Sequence, residues 1–325
     1  MADELDLLRA ADPAPADGPH FGDGPLDHTA ERHLDRLLHG PRPRPGPGRR
    51  TRSRPRLLWG LTAAVVTATT LAVLLGGSSG APAVAAPRPL SVRAHSTAVP
   101  LAEVAELAAV AATDGSPALR RGTHVQSWSL AMSDDRPPVT LPEERVVRWR
   151  ADGTHTEVVV ATDPDHAGRP VLTDTGRVQD GHVLSRRTFP PMWGDAPPLS
   201  TPPHDPAKLR AYLTDLIHGD TLTTSELLDA TAELLDNWIL GAPESAALAD
   251  LLADAKGLRP AGQVTDRLGR TGQAYVLDAG TGGRRMLILD PATGAVLGLE
   301  TTFTRDDPAY GVRAGDVMEY RAWMR

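Results

Sequence analysis

Metal chemistry is the first possibility the residues raise, because eleven histidines and forty-one carboxylates lie along 325 residues that contain no cysteine. A helical zinc site sets two ligands one turn apart, and H-E-x-x-H does not occur. His28, His33 and His39 lack that spacing, and His95, His124, His155, His166, His182, His204 and His218 stand singly. Asp163-Pro164-Asp165-His166 is a local cluster of ligand types, but its composition reads as a solvated turn. No metal, no cofactor and no cofactor-binding residue is expected.

Nucleophilic catalysis by serine needs a base and an orienting acid. No serine sits on a strand-turn-helix elbow of the G-x-S-x-G kind, and S-x-x-K is missing. Ser127 and Ser129 fall on the small face of a strand pattern, which reads as the seat of a packed helix. Glu143-Glu144 and Asp134-Asp135 supply the carboxylates of glycoside chemistry, yet adjacency in sequence reads as surface. Gly280-Thr281-Gly282-Gly283 has no helix behind it to receive a phosphate and reads as a hairpin turn, as does Asp290 to Gly294. Trp128, Trp149, Trp193, Trp238 and Trp323 read chiefly as core. No catalytic residue is assigned, and the expectation is a protein that is not an enzyme.

The elements that would position these residues follow from periodicity. An alanine-rich helix is expected over residues 96–115, where Leu101, Val104, Ala105, Leu107, Ala108 and Ala111 make an apolar face and Asp114-Gly115 a stop. Strand patterns occupy 122–132, 144–153 and 155–163, and Asp152-Gly153 joins the last two as a tight hairpin. Long loops fill 163–204, with short strands around Val171 and Val183. Three helices come next, DPAKLRAYLTDLIHG, TSELLDATAELLDNWILG and PESAALADLLADAKGL, each opening on a cap or proline and closing near a glycine. Strands return over 262–270, 272–280, 284–294, 295–304 and 316–324 as an antiparallel meander.

Upstream, residues 57–75 are nineteen residues without a charge, about 28 Å as a helix, which predicts one transmembrane span. Arg42, Arg44, Arg49, Arg50, Arg52, Arg54 and Arg56 precede it and only Arg88 and Arg93 follow at similar distance, so the N-terminus is expected in the cytoplasm and the C-terminal domain outside. Cleavage as a signal peptide near Ala83-Val84-Ala85 is the rival reading. The chain then divides into an acidic tail (1–40), a Pro/Arg linker (41–56), the span (57–75), a second linker (76–89) and an α+β domain (90–325), its curved antiparallel sheet an open half-barrel packed with helices. In the tail, Leu26, Leu34, Leu37 and Leu38 share a helix face too short to bury against itself. That stripe is the expected partner-binding surface. The 24 basic and 32 acidic residues after Leu57 argue against a nucleic-acid partner.

The start MADELDLLRAADPAP, the arginine-flanked apolar run and the stretch VTDRLGRTGQAYVL…RRMLILDPATGAVLGLE resemble a family of actinobacterial single-pass membrane proteins often encoded beside extracytoplasmic-function sigma factors. The outer domain is similar to the half-barrel of lipoprotein carriers and sigma-regulatory sensors. The resemblance implies an envelope sensor in the cell membrane, touching the lipid bilayer, whose tail binds a sigma factor or another cytoplasmic protein. A tethered lipid or lipoprotein carrier, with a lipid ligand in the outer domain, is the alternative it implies.

Overall fold

The computed structural model describes residues 87–325, apart from 134–135, 163–168, 192–193, 195 and 281. Four helices are described: α1 (Leu101–Ala111), α2 (Pro206–Leu216), α3 (Thr224–Asn237) and α4 (Ala242–Ala253). Ten strands form one sheet: β1 (Arg120–Ser133), β2 (Arg136–Trp149), β3 (His155–Ala161), β4 (His182–Phe189), β5 (Trp238–Ile239), β6 (Arg259–Thr265), β7 (Thr271–Asp278), β8 (Gly283–Leu289), β9 (Val296–Phe303) and β10 (Val317–Trp323).

The expected architecture of a transmembrane helix joined to a half-barrel is corrected by these elements. Among the described residues no helix is long and apolar enough to cross a membrane. The longest, α3, has 14 residues, about 21 Å against the roughly 30 Å of a hydrocarbon core, and it carries Glu226, Asp229, Glu233 and Asp236. The chain described is mostly a ten-stranded antiparallel sheet with four helices, and a single-pass membrane location is not supported. The apolar run 57–75, its flanking Arg49, Arg50, Arg52, Arg54 and Arg56, and the tail residues Leu26, Leu34, Leu37 and Leu38 lie outside the described residues.

The strand order is β4-β3-β2-β1-β10-β9-β8-β7-β6, with β5 on the start of β1. Two meanders, β1–β4 and β6–β10, are thus sewn together where the first strand pairs with the last, Val125 opposite Trp323 and Ser127 opposite Arg321. α1 precedes the first meander, and α2, α3 and α4 enter the chain between the two. Hairpin turns carry the residues expected of them: Gly153 and Gly294 have φ of 80° and 67°, which glycine adopts without strain.

One sheet face and the helices enclose the main core. Val125, Tyr275, Leu287, Leu289, Leu299 and Trp323 from strands meet Leu209, Leu213, Leu228, Leu234, Leu248 and Leu252 from helices, all at most 4% exposed. Strand period two sends the alternate residues of β1, His124, Gln126 and Trp128, to the opposite face, where Trp128 packs on Tyr320. The small face of β1 receives α3, as its serines suggested. Thr223, just before the cap candidates Thr224 and Ser225 that the sequence offers, closes a capping box with Glu226. The same helix stops three residues short of its expected leucine because Trp238 and Ile239 turn extended and pair with Arg121 and Arg120.

Candidate functional site

The face away from the helices holds a buried charged constellation. In the β1–β2 register Gln126 lies opposite Glu144, and His124 sits two residues along the strand, so the three side chains emerge together. His124 Nε2 lies 2.7 Å from Glu144 Oε1, and His124 Nδ1 lies 3.0 Å from Asp174 Oδ1. Glu144 accepts three further bonds, from Gln126 Nε2 at 2.8 Å and from the backbone N–H groups of Val171 and Leu172 at 2.9 Å each. The Glu144 side chain is fully buried and that of His124 nearly so, whereas Asp174 is 72% exposed.

Burial works against the charge of Glu144, but the bonds from His124, Gln126, Val171 and Leu172 outweigh it and hold the carboxyl below its ordinary range. An ionised carboxylate only accepts, so a ring nitrogen facing it must bring a proton. A ring bearing both protons can donate to both carboxylates at once. A neutral ring serves one of them and loses the other.

The segment that Glu144 holds is a strap over β1–β3. Leu172 inserts among Val146, Val158 and Val160, with Val171 and Val178 beside it. A bridge between Leu172 and Val178 and the bond from Gly176 N to Thr173 O close a tight turn with Asp174 at its tip. The strap is thus pegged by apolar side chains and clasped by charge. Asp174 and Glu144 meet different nitrogens of one ring, so they do not converge on a point where a metal would sit.

On the helix-bearing face, Asp229, Glu233 and Asp236 recur along one side of α3 and confront arginines of three strands. Arg285 meets Asp229 at 2.7 Å, and Asp236 takes Arg321 at 2.7 Å, the Trp323 indole N–H at 3.1 Å and Arg145 at 3.4 Å. Burial pushes the carboxyls of Glu143 and Glu233 above their ordinary range, and Asp236 adds to this at Glu233. Ser127 Oγ is 3.5 Å from Glu143 Oε1, the limit of a hydrogen bond and too long to activate a nucleophile. This seam locks helix to sheet.

A third arrangement is a stack running across adjacent strands. The Arg121 guanidinium lies 3.5 Å from the Trp149 ring centroid, Trp149 stacks on His155 at 4.2 Å, and His155 on Phe189 at 4.6 Å. Burial lowers the His155 pKa, which favours the neutral ring. Beyond β9, on the same side as His124, Leu90, Arg284, Met286, Glu300 and Phe303 line a groove of about 340 Å³.

The sequence candidates fare unevenly. Of Glu143 and Glu144, both expected at the surface, Glu144 is buried and Glu143 half-buried: adjacent strand residues point to opposite faces, and here each face has a covering element. Trp128, Trp238 and Trp323 are core residues, while Trp149 is half-buried in the stack. Asp134-Asp135, the 163–166 cluster and Trp193 lie outside the described residues. Sequence reasoning missed the pairing of His124 with Glu144 and Asp174. Its signal was the bulky polar alternation His124, Gln126, Trp128 on one strand face. No family model matches the chain, and no curated protein matches it.

Proposed function

We propose that the protein is a non-catalytic sensor and regulator, whose folded part carries a strap clasped by His124, Glu144 and Asp174 and whose segment 1–40 engages a partner protein. The observation that carries the reading is one ring held between two carboxylates, with a strap of backbone hanging on the result. Asp174 sits at the tip of the strap against the ring, so breaking that contact frees the turn at 173–176. The resemblance to sigma-associated proteins makes a sigma factor the partner to try first.

Hydrogen exchange on the full-length protein tests the sensor. Breaking the clasp by His124→Gln should quicken exchange in residues 173–178. Identical exchange in wild type and variant overturns the reading. For the tail, Leu34→Glu with Leu37→Glu should abolish binding of a purified extracytoplasmic-function sigma factor; binding that survives both substitutions removes the tail from the proposal.

A second reading, a lipid- or lipoprotein-binding protein, draws on the groove at Leu90, Met286 and Phe303, whose volume falls in the range of small-ligand sites. Lipid retained in native mass spectrometry, and lost on Met286→Glu, would favour it. The densely filled space between helices and sheet supports the sensor reading over this one.

A further inference from the structure

The sheet has two edges, and the chain finishes them differently. At β6 the segment 92–96 lies alongside: Val92 bridges Val264, Arg93 N donates to Gln263 O at 2.7 Å, and Gln263 N donates to Ser96 Oγ at 2.9 Å. That edge is covered by the protein itself. At the other end β4 pairs with β3, and among the described residues nothing pairs with its outer side. Alternate residues of an antiparallel edge strand turn both N–H and C=O outward, which is a template for another strand.

The usable part of this edge is short and basic. A register shift separates Val183 from Ser185, with Leu184 as the extra residue, so regular pairing covers Ser185–Phe189, opposite His155–Val159. Arg186 and Arg187 are exposed, and being successive they project from opposite faces. Among the described residues neither is in an ion pair; Glu157, opposite Arg187, is engaged by Arg145 at 3.5 Å. Arg148 adds a further exposed cation on the Arg186 face, bonded to the Thr175 carbonyl. Charges on an edge ordinarily repel stray strands. A second copy is disfavoured on that ground, because antiparallel pairing of two β4 strands sets an arginine against its own copy.

We propose that Ser185–Phe189 is a docking edge for an extended acidic segment of a partner protein, which adds beside β4 as a further strand. Backbone hydrogen bonds supply the attachment, and two adjacent carboxylates reach Arg186 and Arg187 on the two faces. The same arginines that reject a like edge select the acidic strand.

The test uses the full-length protein and a nine-residue peptide with a central Glu-Glu pair flanked by valine and threonine. A Lys-Lys version and a version N-methylated at alternate residues along one edge serve as probes. The acidic peptide should bind and slow amide exchange in 185–189. Arg186→Glu with Arg187→Glu should weaken it at least about tenfold and transfer preference to the Lys-Lys peptide. Methylation should abolish binding from the blocked edge. Should the charge-reversed protein fold poorly, Arg186→Gln with Arg187→Gln replaces it, with the same loss expected. Equal affinity for both peptides, unchanged exchange in β4, or binding that survives the arginine substitutions would each overturn the proposal. So would sedimentation showing a dimer of the chain that the substitutions dissociate.

Discussion

Replacing Glu144 by glutamine changes one atom of the clasp and should be felt throughout it. Oε1 takes His124 and Leu172, and Oε2 takes Gln126 and Val171, so either orientation of the new amide turns its NH2 group on two buried donors. Two charge-assisted bonds vanish and the remaining two lose their charge, against which only the desolvation of the carboxylate is recovered. Breaking a buried charged pair from one side costs about 3–5 kcal/mol. In a domain of this size that is a fall in Tm of roughly 6–20 °C, provided the strap unfolds with the rest. If the strap opens alone, the loss of Tm is smaller and amide exchange at Val171 and Leu172 rises instead. Differential scanning calorimetry and exchange on the same full-length samples separate these cases. A Tm within about 2 °C of wild type together with unchanged protection of Val171 and Leu172 would refute the reasoning. The pH dependence has a fixed sign. Because the folded carboxyl titrates below the unfolded one, its stabilisation is present above the ordinary value of 4.5 and is lost as pH falls through the lower folded value. Glutamine should abolish that acid limb.

Three further outcomes follow from other parts of the fold. Asp236→Ala strands Arg321 and the Trp323 indole at a half-buried seam and should cost about 2 kcal/mol in urea denaturation, less than a fully buried pair because Arg321 is 27% exposed. Glu143→Gln should act in the opposite direction: burial raises that carboxyl, so the folded state holds its proton longer and stability falls as pH rises above the ordinary glutamate value. The variant's thermal midpoint should therefore gain on wild type between pH 4.5 and neutrality, and a constant difference would count against this. Gly294→Ala adds a Cβ only 2.7 Å from Ala108 Cβ and 3.0 Å from Ala249 Cβ at a φ of 67°, and should lower stability by about 2–4 kcal/mol in the same denaturation assay.

Local grammar made much of the architecture legible in the amino-acid order. Alternation of Val125, Ser127 and Ser129 with Gln126 and Trp128 defined a two-faced strand, Asp152-Gly153 and Asp290 to Gly294 defined hairpins, and the leucine spacing from Leu209 to Leu216 defined a helix. These signals act within a few residues, through torsion preferences and side-chain period, and need no neighbour in space.

What covers each face was decided only by the tertiary structure. Period two sends Glu143 and Glu144 to opposite sides whatever the fold, but nothing near them reveals that a helix seam lies over one and a strap over the other. The contacts that matter join residues far apart in the chain: His124 with Asp174 across 50 positions and Arg321 with Asp236 across 85. Pairing of β1 with β10 brings the ends of the domain together and creates one sheet with a guarded edge and an open one. The sequence by itself determined which way each side chain points, because that is set by the backbone's own geometry. Only the assembled sheet and what packs on its two faces decided whether water, apolar packing or an opposite charge would meet it there.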